Sequence, residues 1–298
     1  MALNDFRTQG YQANVFSPLV ANAVAYLTTR STPMTRRQIM KSAGIGAAVI
    51  ALHNNNSAKA QDPKASVKAL VFDTFGTVVD WRGSIIEEGT AWGKTKGVNV
   101  DWARFADRWR AGYGPSMEKV RKGEMPWTNL DHLHRALLED LLKEFHIEGL
   151  SEQEKDHWNR VWHRLTPWPD SVAGLTRLKK KYIIAPLSNG NVALLANMGK
   201  HAGLPWDLIL SAELAKHYKP DRETYLSAAS LLELQPAEVM MCAAHAGDLT
   251  AARSCGLRTG FIYRPDEYGP ARKPNDAKPG DFDVVSSSML DLASKLGA

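Results

Sequence analysis

Cysteine is scarce in this chain: of 298 residues only Cys242 and Cys255 are cysteines. Two thiols cannot build a disulfide framework or a four-thiolate metal centre. A single bridge stays open in an oxidising compartment, and two small buried side chains are the simpler expectation. Long apolar runs are missing too. The most apolar segment, Ala43 to Leu52, has about ten residues, against the roughly 20 that span a bilayer, so no stable membrane anchor is expected. There is no internal repeat or low-complexity tract. Nor is there a basic surplus in the body of the chain. The formal charge is +5, but six basic residues and one acid, Asp5, lie within residues 1–60, and removing these from the 37 basic and 32 acidic residues leaves 31 of each. A neutral body gives no reason to expect nucleic-acid binding. Apolar residues make up 44%, enough for a full globular core.

The first 60 residues read as an address. Thr35-Arg36-Arg37-Gln38-Ile39-Met40-Lys41 precedes the apolar segment, and Ala58-Lys59-Ala60 supplies a small–x–small cleavage site. Charged, apolar and small-residue regions in that order make a secretory signal, and the arginine pair resembles the twin-arginine form. The expectation is an N-terminal extension over 1–60, with a signal at 34–60 that engages the twin-arginine translocase and delivers the protein to the periplasm. Met34 is the simplest start of translation, and a long n-region is the alternative. The mature chain would begin near Gln61.

Beyond the signal, Val67 to Phe72 is a short apolar run ending in Asp73 and reads as a buried strand. Residues 83–165 carry helical spacing, clearest over Asp131–Leu142, and no convincing strand. After Pro167-Trp168-Pro169, strands alternate with helices: Tyr182–Leu187 and Val192–His201, Leu208–Ser211 and Arg222–Leu232, Val239–Ala243 and Leu249–Cys255, then Arg258–Tyr263. This alternation predicts an α/β fold, a Rossmann-like parallel sheet covered on both faces. The core would comprise 61–82 and 166–298, with a helical cap over 83–165 inserted after the first strand. Ligands bind such sheets at the carboxyl edge.

A polar cluster stands at each strand end: Asp73-Thr74-Phe75-Gly76-Thr77, Ser188-Asn189-Gly190, Lys219-Pro220-Asp221, and His245-Ala246-Gly247-Asp248. Four such clusters can converge on one pocket. An aspartate just past a buried strand, beside a glycine turn, is a candidate nucleophile, and a nearby lysine keeps it ionised.

In these four motifs, spread over residues 67–265, the chain resembles the haloacid dehalogenase superfamily. Most of that superfamily are phosphatases, which carry a second acid two residues after the nucleophile to protonate the leaving alkoxide. Here that position is Phe75, and a frequent magnesium-binding acid four residues after Asp248 is replaced by Ala252. A halide leaves without a proton, and a hard cation is poorly served by so few carboxylates. An aromatic residue at this place resembles the L-2-haloacid dehalogenase branch. So do the Trp109-Arg110 pair and the run Lys219 to Tyr225, with its tyrosine six residues after the lysine.

The resemblance implies no metal or organic cofactor and a small halogenated carboxylic acid as substrate. It implies that Asp73 attacks C2, Arg110 with Asn189 receives the halide, and Ser188, Lys219 and the backbone amides of residues 74–77, Thr77 among them, hold the carboxylate. Phe75, Tyr225 and Trp127 would wall the pocket; for Trp127 a core position is an equal expectation. Asp248, with His245, would position water against the resulting ester. His245 and Ala243 depart from the usual Asn and Ser of the branch, which leaves the role of His245 open. A metal-dependent phosphatase and a non-catalytic homologue remain as alternatives, and a homodimer is left open.

Overall fold

The computed structural model describes residues 67–298. The signal expected at 34–60 and the first residues of the expected core lie outside the described residues.

Six strands form one parallel sheet: β1 (Ala69–Phe72), β4 (Ile183–Ser188), β5 (Leu210–Ser211), β6 (Val239–Ala243), β7 (Arg258–Ile262) and β8 (Val284–Ser286), in the order β5-β4-β1-β6-β7-β8. A sheet buried on both faces needs continuous apolar strands, and β1 and β6 are buried at every position. Alternate side chains then serve opposite layers. Leu70, Phe72, Met240 and Cys242 enter one core, whereas Ala69, Val71, Met241 and Ala243 enter the other. Burying each large aliphatic side chain contributes about 1.5–3 kcal/mol. Cys242 is thus a core residue and Cys255 is half-buried, both as free thiols.

The sequence expectations place β1, β4, β5, β6 and β7 to within two residues at either end, but they give no bounds for β8 and miss a short antiparallel ribbon. Strands β2 (Val79–Asp80) and β3 (Thr166–Pro167) pair with each other and form the neck of the helical block. Two residues per strand are too few to carry a period-2 signal. Between them run α1 (Trp81–Lys96), α2 (Trp102–Arg121), α3 (Leu130–Glu144) and α4 (Glu152–Asn159). Each begins at a residue whose side chain accepts a first-turn amide hydrogen: Asp80, Asp101, Asn129 and Ser151 respectively. Their shared face is aromatic, with Trp102 stacked on Trp158 at 5.4 Å and Phe105 edge-on to Trp109 at 5.7 Å. No helix among the described residues is long and apolar enough to cross a membrane.

The remaining helices cover the sheet: α5 (Ser171–Lys179), α6 (Val192–Ala202), α7 (Ala212–Ala215), α8 (Arg222–Leu231), α9 (Ala246–Ser254) and α10 (Met289–Lys295). From β1 the chain builds outward to β4 and β5, then returns to add β6 on the other side of β1. This reversal opens a crevice between the carboxyl ends of β1 and β6, the place where such sheets bind ligands.

Candidate active site

A cavity of about 300 Å³ lies at that crevice, lined from the sheet side by Asp73, Asn189, Lys219, Tyr225, His245 and Asp248, and from α2 by Arg110 and Tyr113. Asp73 follows β1 directly. The turn after it doubles back tightly, with the amide of Val78 donating to the Thr74 carbonyl and that of Gly76 to the Val79 carbonyl. Gly76 has φ +82°, and a Cβ there would lie 2.1 Å from Oε1 of Glu267, so glycine is required both for the backbone and for the approach of Glu267.

The two carboxylate oxygens of Asp73 are held differently. Oδ1 accepts from Lys219 Nζ at 2.9 Å. Oδ2 accepts from the Thr77 hydroxyl at 2.8 Å and from His245 Nδ1 at 2.8 Å. Lys219 also donates to Asp248 Oδ2 at 2.6 Å, and Tyr225 donates its hydroxyl to the other Asp248 oxygen at 2.6 Å. His245 Nε2 donates to Glu267 at 2.9 Å, and the Trp81 indole N–H reaches the same carboxylate at 3.3 Å.

Burial alone would raise the Asp73 pKa, but the Lys219 ammonium and the His245 contact outweigh it and hold the carboxyl far below its usual range. Burial also lowers Lys219, yet Asp248 and Asp73 together push it above its ordinary value. Asp248 is raised, by burial and by the like charge of Asp73, against the pull of Lys219. His245 is lowered by burial but carried up to about 10 by its bonds to Asp73 and Glu267. The resting site therefore holds an ionised carboxylate between two cations.

Arg110 is the remaining cation. Its guanidinium lies 4.2 Å from the Tyr113 ring centroid and 5.5 Å from that of Trp81. Its Nη1 is buried without a protein partner. Asp107, one turn earlier on α2, is engaged instead by Arg82 through two bonds of 2.8 and 3.0 Å. Among the described residues no carboxylate forms an ion pair with Arg110, which leaves its charge available to an incoming anion.

The cavity thus brings together Asp73, Lys219, Asp248, Arg110, Asn189, Tyr225 and His245 from the expected set. Four other expected residues do not line it. Thr77 is fully buried and acts on Asp73, while its oxygen accepts the Ala244 amide at 2.9 Å. Ser188 is fully buried, its oxygen accepting from the Gly190 amide at 3.2 Å. Phe75 stands one layer back, edge-on to Tyr113 and Trp162. Trp127 packs on Tyr218 at 4.7 Å, which is the core alternative anticipated for it. The Gly76 amide, expected among the substrate-binding donors, already bonds Val79.

Two lining or supporting residues escaped the sequence reading. Glu267 lies in the Pro- and charge-rich loop after β7, where no periodicity or motif marks it. It is nonetheless 1% exposed. Tyr113 had a usable signal: it is three residues after Arg110 on a helix, hence on the same face.

The donor set is also mismatched to a divalent cation. Lys219 Nζ bridges Asp73 and Asp248, so the facing oxygens of the two carboxylates are already matched to an ammonium. Among the described residues no group of three His, Cys, Asp or Glu side chains has a metal-holding arrangement. The residues do not fit a hard cation site, which wants six or more oxygen ligands.

A parallel sheet with a helical block over its carboxyl edge, and an ionised aspartate desolvated at the end of its first strand, define a hydrolase built around a carboxylate. Comparison with known proteins identifies which. The sequence pattern of the haloacid dehalogenase-like hydrolases matches residues 67–256. The (S)-2-haloacid dehalogenase 4A of Burkholderia cepacia is 31% identical over 217 residues, 68% of this chain and 87% of that protein. The crystal structure of a defluorinating L-2-haloacid dehalogenase superposes with a TM-score of 0.76 at 48% identity, covering 78% of this chain and 96% of its own. A second L-2-haloacid dehalogenase structure gives 0.73 at 49% identity, covering 77% and 99%. The chain belongs to the haloacid dehalogenase-like hydrolase family.

Proposed function

We propose that the protein is an (S)-2-haloacid dehalogenase, which hydrolyses short 2-haloacids to 2-hydroxy acids through an ester on Asp73. One observation carries this reading. The nucleophilic carboxylate faces, across one cavity, a guanidinium that no carboxylate among the described residues neutralises, and Phe75 stands where a phosphatase needs its acid. The relatives named (S)- and L-2-haloacid dehalogenases support it.

Asp73 Oδ1 attacks C2 of the haloacid from the side opposite the halogen. The C–O bond forms as the C–X bond breaks, and the halide leaves with the bonding electrons toward Arg110, whose field stabilises it. Lys219, through its remaining N–H, and the amide of Asn189 line the cavity beside Asp73 and hold the substrate carboxylate. C2 inverts once, so an (S)-haloacid gives an (R)-hydroxy acid.

Esterification removes the negative charge of Asp73. With it goes the main attraction that keeps His245 protonated. His245 gives its Nδ1 proton to solvent, the proton released overall with the halide. Nδ1 then takes a proton from water as that water attacks the carboxyl carbon of Asp73, while Nε2–H stays on Glu267. The Thr77 hydroxyl donates to the developing oxyanion on Oδ2. As the intermediate collapses, the Cγ–Oδ1 bond breaks, and Lys219 protonates the departing alkoxide and takes up the proton of the new Asp73 carboxyl, which restores the ammonium and the carboxylate. A panel of 2-haloacids assayed for free halide tests the reading. Release is expected to persist undiminished after exhaustive chelation. Activity that is lost and then restored by Mg²⁺, together with turnover of a phosphomonoester, would move the protein to the phosphatases.

The Arg36-Arg37 pair and Ala58-Lys59-Ala60 support export through the twin-arginine route to the periplasm. Replacing both arginines by lysine is expected to leave unprocessed protein in the cytoplasm. Undiminished mature protein in the periplasmic fraction would rule that route out.

A further inference from the structure

A second cavity, of about 420 Å³, adjoins the first. It is lined by Trp81, Asp107, Arg110, Tyr113, Tyr268 and Arg272. Arg110 and Tyr113 line both cavities and so form the wall between them. The charge in this outer cavity is unbalanced. Asp107, the acid among these residues, is neutralised by Arg82 at 2.8 Å. Arg110 has no ion-pair partner among the described residues, and the Arg272 guanidinium lies 4.1 Å from the Tyr268 ring centroid. Two cations framed by aromatic rings, with the acid already paired, make a basin of positive potential.

We propose that this outer cavity is a binding subsite for a small monovalent anion, and that halide displaced at Asp73 leaves through it. The inference rests on the dehalogenase reading for its second half only. In-line displacement sends the halide away from Asp73, while the acid fragment stays covalently attached and blocks the way back. The halide is therefore confined against Arg110. The far side of that guanidinium is the outer cavity, and Arg272 at its exposed rim is the next positive charge. A hand-over between two cations avoids leaving the ion unpaired in a desolvated site. The incoming carboxylate of a haloacid has the same charge and could use the same basin, so the test separates the two.

The test compares the full-length protein with Arg272→Gln and Arg272→Lys. Chloride-35 line broadening measured on resting protein needs no turnover. Arg272→Gln is expected to remove a third or more of the protein-dependent broadening and Arg272→Lys to retain it. In rapid mixing with a bromo acid, Arg272→Gln is expected to release free bromide several-fold later than the ester forms, whereas the unaltered protein shows no such lag. Equal chloride broadening in all three proteins would overturn the subsite. A raised KM with no release lag would assign the basin to incoming carboxylate and overturn the exit route. If no haloacid yields halide, the dehalogenase reading fails while the chloride comparison still decides the subsite.

Discussion

Single turnover in ¹⁸O-water, with enzyme in excess over haloacid, is expected to give unlabelled 2-hydroxy acid and to place the label in the peptide that contains Asp73. The reason lies in how the carboxylate is held. Oδ2 is engaged by Thr77 and His245, whereas Oδ1 meets only Lys219, which leaves Oδ1 a lone pair toward the cavity. Asp73 is 8% exposed, and its neighbours keep it ionised far below neutral pH, so it reaches substrate charged and poorly hydrated. A poorly hydrated carboxylate is a strong nucleophile. The oxygen delivered to C2 then comes from the protein, and water repairs the carboxyl group afterwards. Were Asp73 instead a base for water, the first-turnover product would carry the label, and mass spectrometry of that product distinguishes the cases. Asp73→Asn keeps the volume and removes the charge. It is expected to lower kcat by about 10⁴-fold or more, equivalent to roughly 5.5 kcal/mol of barrier, with an unchanged circular dichroism spectrum.

Glu267→Gln and His245→Gln are expected to separate the two half-reactions. Halide should appear as a burst of about one equivalent per enzyme, followed by turnover slowed about 10²–10⁴-fold, the usual range for losing a general base. The protein should accumulate with a mass increased by the substrate less its halide. Glu267 does not touch substrate; it fixes the imidazole so that Nδ1 faces the ester. It is thus a positioning residue, and a burst followed by stalling is a signature that mere loss of structure would not produce. A uniform loss of both phases would sink the idea. The same pair predicts a stability effect with a definite sign. The His245 pKa rises from 6.5 to about 10 on folding. Its contribution is therefore full below about pH 6.5 and is lost as pH rises through about 10. Thermal denaturation of His245→Gln should be correspondingly less sensitive to pH across that window than that of the unaltered protein.

Much of this site was legible before any coordinates. Asp73 stands just past a buried strand, Lys219 in the loop after α7 and Asp248 in the first turn of the helix after β6, and a run of apolar residues that stops at a polar cluster is a local pattern. Arg110 was legible only through the resemblance of the Trp109-Arg110 pair to the L-2-haloacid dehalogenase branch. Trp127 shows the limit of such reading. An aromatic residue in the cap serves a wall or a core equally well by composition, and only its packing on Tyr218 decides. Ser188 shows another limit. It stands where the motif predicts, yet the turn of Gly190 takes its hydroxyl out of the cavity's reach.

By itself the sequence determined the strands, the alternating layers they feed, the order of the four motifs and the place of Asp73 at the end of the first strand. All of these follow from periodicity and near-neighbour spacing, which act over a few residues. The tertiary structure decided which distant groups meet. Glu267 lies 22 residues from His245, and His245 lies 172 from Asp73, and only the placement of β6 beside β1 and of β7 beside β6, with the loop that follows β7, folds these separations to hydrogen-bond length. These partners then set the charges against the effect of burial, because the field that ionises Asp73 and protonates His245 comes from groups distant in the chain, a property that no local stretch of sequence possesses.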